Sequence, residues 1–363
     1  MRFVRPKMSG PLGVVLLLTL VVAPSLLGTI QEPTPEIATR STDQPGPVQV
    51  YILPGQSNML GFGKVGPAET QGTLEYMIKE KGKYPDLVDQ AGSWIVRDYV
   101  RYVHVMQKGD NMATMRNEWL TPSGSFGPEL GFGHVVGDIH DEPVLLLKAC
   151  IGNRSLGWDL LPPGSQQFEF DGKNYAGYKE SPLSWEKGTE PVPINWYAGK
   201  QYDDDTANAK KVLENLAEYF PGYQGQGYEV AGFVWWQGHK DQNPAHASRY
   251  EQNLVQLIKS LRKDFNAPDA RFVLATIAFG GEKLGGHGLT IANAQLAVDG
   301  QTGKYPEFKG NVSAIDARPF WREAAVSPNS KQDYHYFHNA ETYMEVGNAL
   351  GWSMSELLKG KFP

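Results

Sequence analysis

Three short runs in this chain are apolar at nearly every position: "VLLLKAC" at 144–150, "VAGFVWW" at 230–236 and "FVLATIA" at 272–278. A strand with one wet face alternates apolar and polar residues, so a run apolar at both parities must be covered on both sides. These runs, with their flanks and two similar stretches, predict strands at Val48–Leu53, Val144–Cys150, Glu229–Trp236, Arg271–Ala278 and Asn311–Asp316. Helical patterns separate them. In "DTANAKKVLENLAEYF" the apolar Val212, Leu213, Leu216 and Phe220 recur at three- and four-residue steps, as do Tyr250, Leu254, Leu257, Ile258, Leu261 and Phe265 further on. Near the C-terminus Val346, Leu350, Met354 and Leu357 form one stripe. Strands alternating with helices predict an α/β fold, a mostly parallel sheet covered on both faces.

Two segments, roughly 90–125 and 155–205, fall outside that alternation and are rich in Trp, Tyr, Gly and Pro. They read as loops at the carboxyl ends of the strands, where open α/β sheets hold their ligands. Their aromatics suit either small cores beneath the loops, the favoured reading for any one ring, or a sugar-stacking surface.

The N-terminus has the form of an export signal. Arg2, Arg5 and Lys7 precede an apolar run from Leu12 to Ala23, followed by Pro24, Ser25 and Gly28. The run is shorter than the roughly 20 residues of a membrane span, which favours a cleaved signal over an uncleaved anchor, and no cysteine follows it to take a lipid. The expectation is a signal over residues 1–30, a polar Pro-rich linker over 31–47 and one domain over 48–360. Losing residues 1–30 would take the net charge from −6 to −9. An acidic chain with no basic run beyond its first residues points away from nucleic acid, and no stable membrane insertion is expected after signal cleavage. The single cysteine, Cys150, excludes an intramolecular disulfide and any multi-cysteine metal site.

Four strand ends carry residues with chemistry. The first strand runs into "PGQSNM", where Ser57 follows Gly55 and Gln56. Alone, this serine is as well read as a helix cap as a nucleophile. It is not in a G-x-S-x-G elbow, since position 59 is Met. The "GFGKVG" at 61–66 matches the dinucleotide fingerprint formally but starts too far past the strand to cradle phosphate. "LLLKACIGNRSL" ends a strand at Gly152 and Asn153, where a glycine lets its N–H approach a ligand closely. "FVWWQGHKD" ends one at Gln237, whose amide could donate to an oxyanion. Before the last helix, "KQDYHYFHN" offers His335 with Asp333 two residues earlier, on the same side of an extended segment. A carboxylate there would fix the imidazole tautomer and free its other nitrogen as a base. His338 makes an H-x-x-H pair with His335, but no acidic or cysteine partners of metal-site type gather around it.

These blocks resemble the SGNH hydrolase superfamily, and more narrowly the sialate O-acetylesterase and acetylxylan esterase domain of carbohydrate esterase family 6. The matching blocks are "GQSNM" (55–59), "IGNRSL" (151–156), "WWQGHKD" (235–241) and Asp333–His335, with "FGPELGFG" (126–133) resembling the helix opening before the second block. The resemblance spans about residues 48–358. It implies a three-layer α/β/α sandwich of flavodoxin-like SGNH type, an acetylated carbohydrate as substrate, and no metal or other cofactor. It implies Ser57 as nucleophile, His335 as base, Asp333 as its orienting acid, and an oxyanion hole of the Ser57 and Gly152 N–H groups with the Gln237 amide. Gln56, Asn58, Asn153 and His239 are candidate substrate contacts.

Three positions depart from the family pattern. His239 stands where an acid is usual. Gln332 stands where the superfamily has its Asp, three residues before the histidine, which leaves Asp316 and Asp241 as alternatives to Asp333. Asn153 replaces a glycine. The expected function is an exported serine esterase removing O-acetyl groups through an acyl-enzyme. The alternatives are a non-catalytic glycan-binding protein on the same scaffold, or a lipase- or thioesterase-like member of the superfamily.

Overall fold

The computed structural model describes residues 46–301 and 304–360. The expected signal, residues 1–30, and all but the last two residues of the expected linker lie outside them. A seven-stranded sheet is built from β1 (Val48–Leu53), β2 (Arg97–Lys108), β3 (Asn111–Leu120), β4 (Val144–Ala149), β5 (Tyr228–Trp235), β6 (Arg271–Ala275) and β7 (Val312–Ile315). Its order is β7-β6-β5-β1-β4-β2-β3, and every neighbouring pair is parallel except β2 with β3. All five predicted strands are present; β1 has the predicted bounds, and the other four end one to three residues earlier than expected.

The helices are α1 (Ser57–Leu60), α2 (Leu74–Lys81), α3 (Glu129–Ile139), α4 (Lys200–Glu214), α5 (Pro244–Asp264), α6 (Gly286–Ala297) and α7 (Ala340–Leu358), with one further turn of helix, Leu216–Tyr219, after α4. Alternate residues along each strand sort into two cores, because side chains leave a strand on opposite faces. Val48, Val50 and Ile52 of β1 pack with α4, α5 and α6, whereas Tyr51 and Leu53 pack with α2, α3 and α7. The fold is the expected three-layer α/β/α sandwich. Among β4-β1-β5-β6-β7 the order is second, first, third, fourth, fifth along the chain, as in flavodoxin-like folds. The switch of direction beside β1 opens the crevice where such sheets bind ligands.

The segment near 90–125 corrects the sequence reading. It contains β2 and β3, a hairpin that extends the sheet. The alternation there is hidden because Arg101 and His104 are buried on β2 among valines. Arg101 is tolerated because its guanidinium donates to Asn117 Oδ1 and O at 2.7–2.9 Å and to Tyr219 O at 3.0 Å. Residues 155–205 hold a small antiparallel sheet of Phe168–Phe170, Lys173–Tyr175 and Ser184–Glu186. Below it Trp158 and Trp185 pack on Leu161, Ala176 and Ala198, so these two rings serve a small core.

Two contacts fasten α3 to the rest of the domain. Where α3 crosses α7 the backbones touch at glycines: a Cβ on Gly347 would meet Pro128 O at 2.4 Å, and one on Gly131 would meet Met344 O at 2.8 Å. In the sheet, Lys148 of β4 is completely buried and donates to Glu129 Oε2 at 2.7 Å and to Leu60 O, at the end of α1, at 3.1 Å. Glu129 Oε1 in turn accepts from Gly127 N at 2.9 Å. Removing one partner of such a pair strands the other charge in an apolar interior, at a cost of about 3–5 kcal/mol. Lys148→Met is therefore expected to lower the urea midpoint by that free energy. Lys148→Met combined with Glu129→Leu should recover much of it.

Candidate active site

β1 ends at Leu53, and the chain turns through Pro54 and Gly55, which bridges to Trp236 at the end of β5. A Cβ on Gly55 would sit 2.8 Å from Trp236 O, so only glycine lets the two strand ends approach this closely. Ser57 is then the first residue of the one-turn α1 and half-buried. Its Oγ has one side-chain partner among the described residues, Gln56 Nε2 at 3.5 Å. Gln56 is buried, and its Oε1 accepts from Gly238 N at 3.3 Å and Lys240 N at 3.4 Å. The residue expected as a possible substrate contact is thus a tie between the β1 and β5 loops.

Beyond β4, Gly152 comes against Ser57: a Cβ there would lie 3.7 Å from the Ser57 Cβ. Neither the Ser57 nor the Gly152 N–H has a backbone or side-chain acceptor among the described residues. Asn153 is exposed beside them in a left-handed conformation (φ 58°). Gln237 departs from expectation. Its Nε2 donates to Arg154 O at 2.8 Å and Asp241 Oδ2 at 2.7 Å, and its Oε1 accepts from the Tyr250 hydroxyl at 2.8 Å. Both amide hydrogens are committed within the protein and the residue is buried. Gln237 braces the second block rather than donating to an oxyanion.

The histidine segment is a tight turn, not the extended stretch expected. Asp333–His338 is a 3₁₀-like turn in which Tyr336 (φ 49°), Phe337 (φ 51°) and His338 (φ 62°) are left-handed in succession. Each such non-glycine residue costs about 1–3 kcal/mol and persists only where its surroundings over-determine it. Here they do. Tyr336 is completely buried, stacks on Trp236 and Phe279 with centroids 5.1 Å away, and its hydroxyl accepts from Ala278 N at 3.1 Å. Asn339 caps α7 directly behind the turn by accepting from Thr342 N at 3.3 Å.

Asn58 ties this turn to the serine. Its Nδ2 donates to Tyr334 O at 3.1 Å, and its Oδ1 accepts from the Tyr343 hydroxyl at 2.8 Å. Asn58 is buried, so it too is a tether rather than a substrate contact. Phe62, five residues after Ser57, stacks on the His335 ring at 3.8 Å and 8° between planes. Ser57, the Gly152 backbone and His335 are therefore held at one edge of the sheet.

The acids are elsewhere. Asp333 is exposed and accepts from Tyr334 N at 2.9 Å; its charge acts on His239, whose pKa burial lowers and Asp333 only partly restores. Asp316 is engaged by Arg318, which holds its pKa below the ordinary carboxylate value. Asp241, completely buried, accepts from Leu156 N at 2.8 Å, Gly157 N at 2.7 Å and Gln237. None of the three orients His335. What meets its Nδ1 is Gln332 Oε1, at 3.2 Å. His335 is half-buried, and burial, then the neighbouring His338 and His239, push its pKa down to about 4. His239 packs edge-on to Phe279 at 5.2 Å and lies 5.6 Å from Tyr334, half-buried on the rim. Phe62 and Gln332 escaped the sequence reading as site residues. The available signal was the position of Gln332, three residues before the histidine.

Among known proteins, residues 179–351 match the family model for carbohydrate esterase, sialic acid-specific acetylesterase. That span holds the Gln237 and His335 blocks; Ser57 and Gly152 precede it. No curated protein matches the chain. A solved Arabidopsis thaliana protein is similar over 85% of this chain and 98% of its own, at 18% identity and a TM-score of 0.46. A carbohydrate acetylesterase from Xanthomonas citri is similar over 86% of this chain and 57% of its own, at 13% identity and a TM-score of 0.48. NanS is similar over 87% and 98%, at 12% identity and a TM-score of 0.43. The resemblance to carbohydrate acetylesterases carried by the motif blocks is thus matched by the family model over 179–351.

Proposed function

We propose that this protein is an exported serine esterase that removes O-acetyl groups from a carbohydrate through an acyl-enzyme. The observation that carries the reading is that Ser57 lies against Gly152, whose N–H is unengaged among the described residues, while Asn58 and Phe62 just after it tie the turn of His335, a histidine whose Nδ1 is occupied, to the same loop. In this reading His335 Nε2 takes the Ser57 proton as Oγ attacks the acetyl carbonyl. The Ser57 and Gly152 N–H groups receive the oxyanion, and the imidazolium returns the proton to the departing sugar hydroxyl. Water, deprotonated by the same nitrogen, then releases acetate. Asn153, exposed beside Gly152, stays the candidate contact for the acyl group. Export rests on the charged and apolar pattern of residues 1–28, and the mature N-terminus of the secreted chain checks it.

Acetate release across acetylxylan, acetylated sialic acid and acetylated pectin tests the substrate class. A series of nitrophenyl esters tests the acyl preference: a rate that rises with chain length would favour the lipase-like alternative. Glycan binding with no labelling of Ser57 by a fluorophosphonate would favour the non-catalytic one.

The low pKa of His335 has a direct consequence. An imidazole acts as a base only when neutral, and kcat/KM reports the free enzyme. Activity should therefore hold through pH 5 and fall about tenfold per unit below about pH 4. The ordinary histidine value would place that fall near 6.5. A pH series of kcat/KM on nitrophenyl acetate measures it.

A further inference from the structure

We propose that Gln332 is the positioning residue of the catalytic base, its neutral side-chain carbonyl filling the place of an orienting carboxylate and clamping His335 to His338. The proposal rests on the serine esterase reading and concerns how its base is held.

Gln332 Oε1 lies 3.2 Å from His335 Nδ1 and 2.6 Å from His338 Nε2. A carbonyl oxygen has two lone pairs and no hydrogen to give, so both ring nitrogens that meet it must carry protons. That makes His335 the Nδ1–H tautomer, with Nε2 a bare lone pair and no protein partner among the described residues. Two histidines converging on one acceptor require an unusual backbone. The three left-handed residues, Tyr336, Phe337 and His338, supply it by folding His338 back over Gln332. Gln332 is itself held at every backbone position. Its N–H donates to Asn329 Oδ1 at 3.0 Å, and its carbonyl accepts from His335 N and Phe337 N, both at 3.0 Å. The strain of the turn and the burial of Tyr336 thus preserve one geometry, that of the Gln332 oxygen between two imidazoles.

An amide oxygen fixes a tautomer as a carboxylate does, but it does not carry the negative charge that stabilises an imidazolium. The charges that face His335 otherwise come from three elements. His338 and Asp333 lie on its own turn, His239 and Lys240 follow β5, and Lys64 follows α1, acting on His338. Only Asp333 among them is acidic, and it is engaged with His239 and the Tyr334 N–H. The low pKa of the base accords with this neutral clamp.

The test reads the tautomer and the pH midpoint on the full chain. Long-range ¹⁵N–¹H spectra of the histidines, assigned with His335→Gln, are expected to show His335 protonated at Nδ1 and bare at Nε2 at neutral pH. Gln332→Ala should lose that preference. Gln332→Glu, which keeps an acceptor and adds a charge, should restore it and raise the His335 pKa by about one to three units. The midpoint of Ser57 labelling by a fluorophosphonate should rise with it. A residue that merely supported the fold would shift melting temperature without moving either readout. Wild-type His335 protonated at Nε2, or one pH midpoint shared by wild type and Gln332→Glu, overturns the proposal. Should Gln332→Ala not fold, Gln332→Glu alone decides. Absence of Ser57 labelling with the Nδ1–H tautomer intact would instead overturn the esterase reading and leave the clamp standing.

Discussion

Ser57→Ala should lower kcat on an acetyl ester by at least about 10⁴-fold, or about 5.5 kcal/mol of barrier, with little change in melting temperature. Deleting one oxygen removes the only proposed nucleophile. The deletion is structurally mild because Oγ has a single long contact, 3.5 Å from Gln56 Nε2, and α1 is held by other groups. Asn58 and Lys148 keep α1 in place, and the Ser57 N–H survives in alanine. Substrate affinity should accordingly persist while turnover disappears. Acetate release and a thermal melt on the purified variant check both halves. Retained turnover would mean that the chemistry does not run through Ser57.

The second large effect is on the scaffold of the site. Asp241→Ala should lower stability by about 2–6 kcal/mol, since it leaves two buried donors without an acceptor at about 1–3 kcal/mol each, and a third, half-buried one to water. Those donors are the Leu156 and Gly157 N–H groups and one Gln237 amide hydrogen. His246 Nδ1, 3.3 Å from Asp241 Oδ1, also loses its charged neighbour. A loss of that size approaches the whole stability of many domains. Because Leu156 and Gly157 follow Gly152 closely, the oxyanion donor should drift as well, and kcat should fall with the urea midpoint. Asp241→Asn, which keeps one acceptor oxygen, should fall between. An unchanged midpoint in Asp241→Ala would show that this carboxylate does not hold the second block.

The strands were legible because burial on two faces demands apolar residues at both parities, and "VLLLKAC" or "FVLATIA" admit few other readings. The β2–β3 hairpin was not, since the buried Arg101 and His104 interrupt its pattern, and Arg101 is accepted only because Asn117 and the Tyr219 carbonyl receive its guanidinium. Ser57, Gly152 and His335 were legible for a related reason: each stands near a strand or helix end in a motif block, and strand ends converge in this topology. Gln237 looked equally well placed, yet its amide faces inward to Arg154 and Asp241. Residue type and position cannot reveal which way an amide turns.

The sequence alone determined the layered sheet and the residue that heads α1, because those follow from local apolar patterning and from short-range turns. Tertiary structure alone decided what stands behind the base. Asp333, two residues before His335, was the natural choice on an extended backbone, and a turn with three left-handed residues carries it away and brings Gln332 in. That backbone is sustained by contacts such as Trp236 on Tyr336 and Asn58 on the Tyr334 carbonyl, the latter across 276 residues of chain. A conformation disfavoured locally exists only where distant packing outweighs its cost, so no local reading of "KQDYHYFHN" could have supplied it.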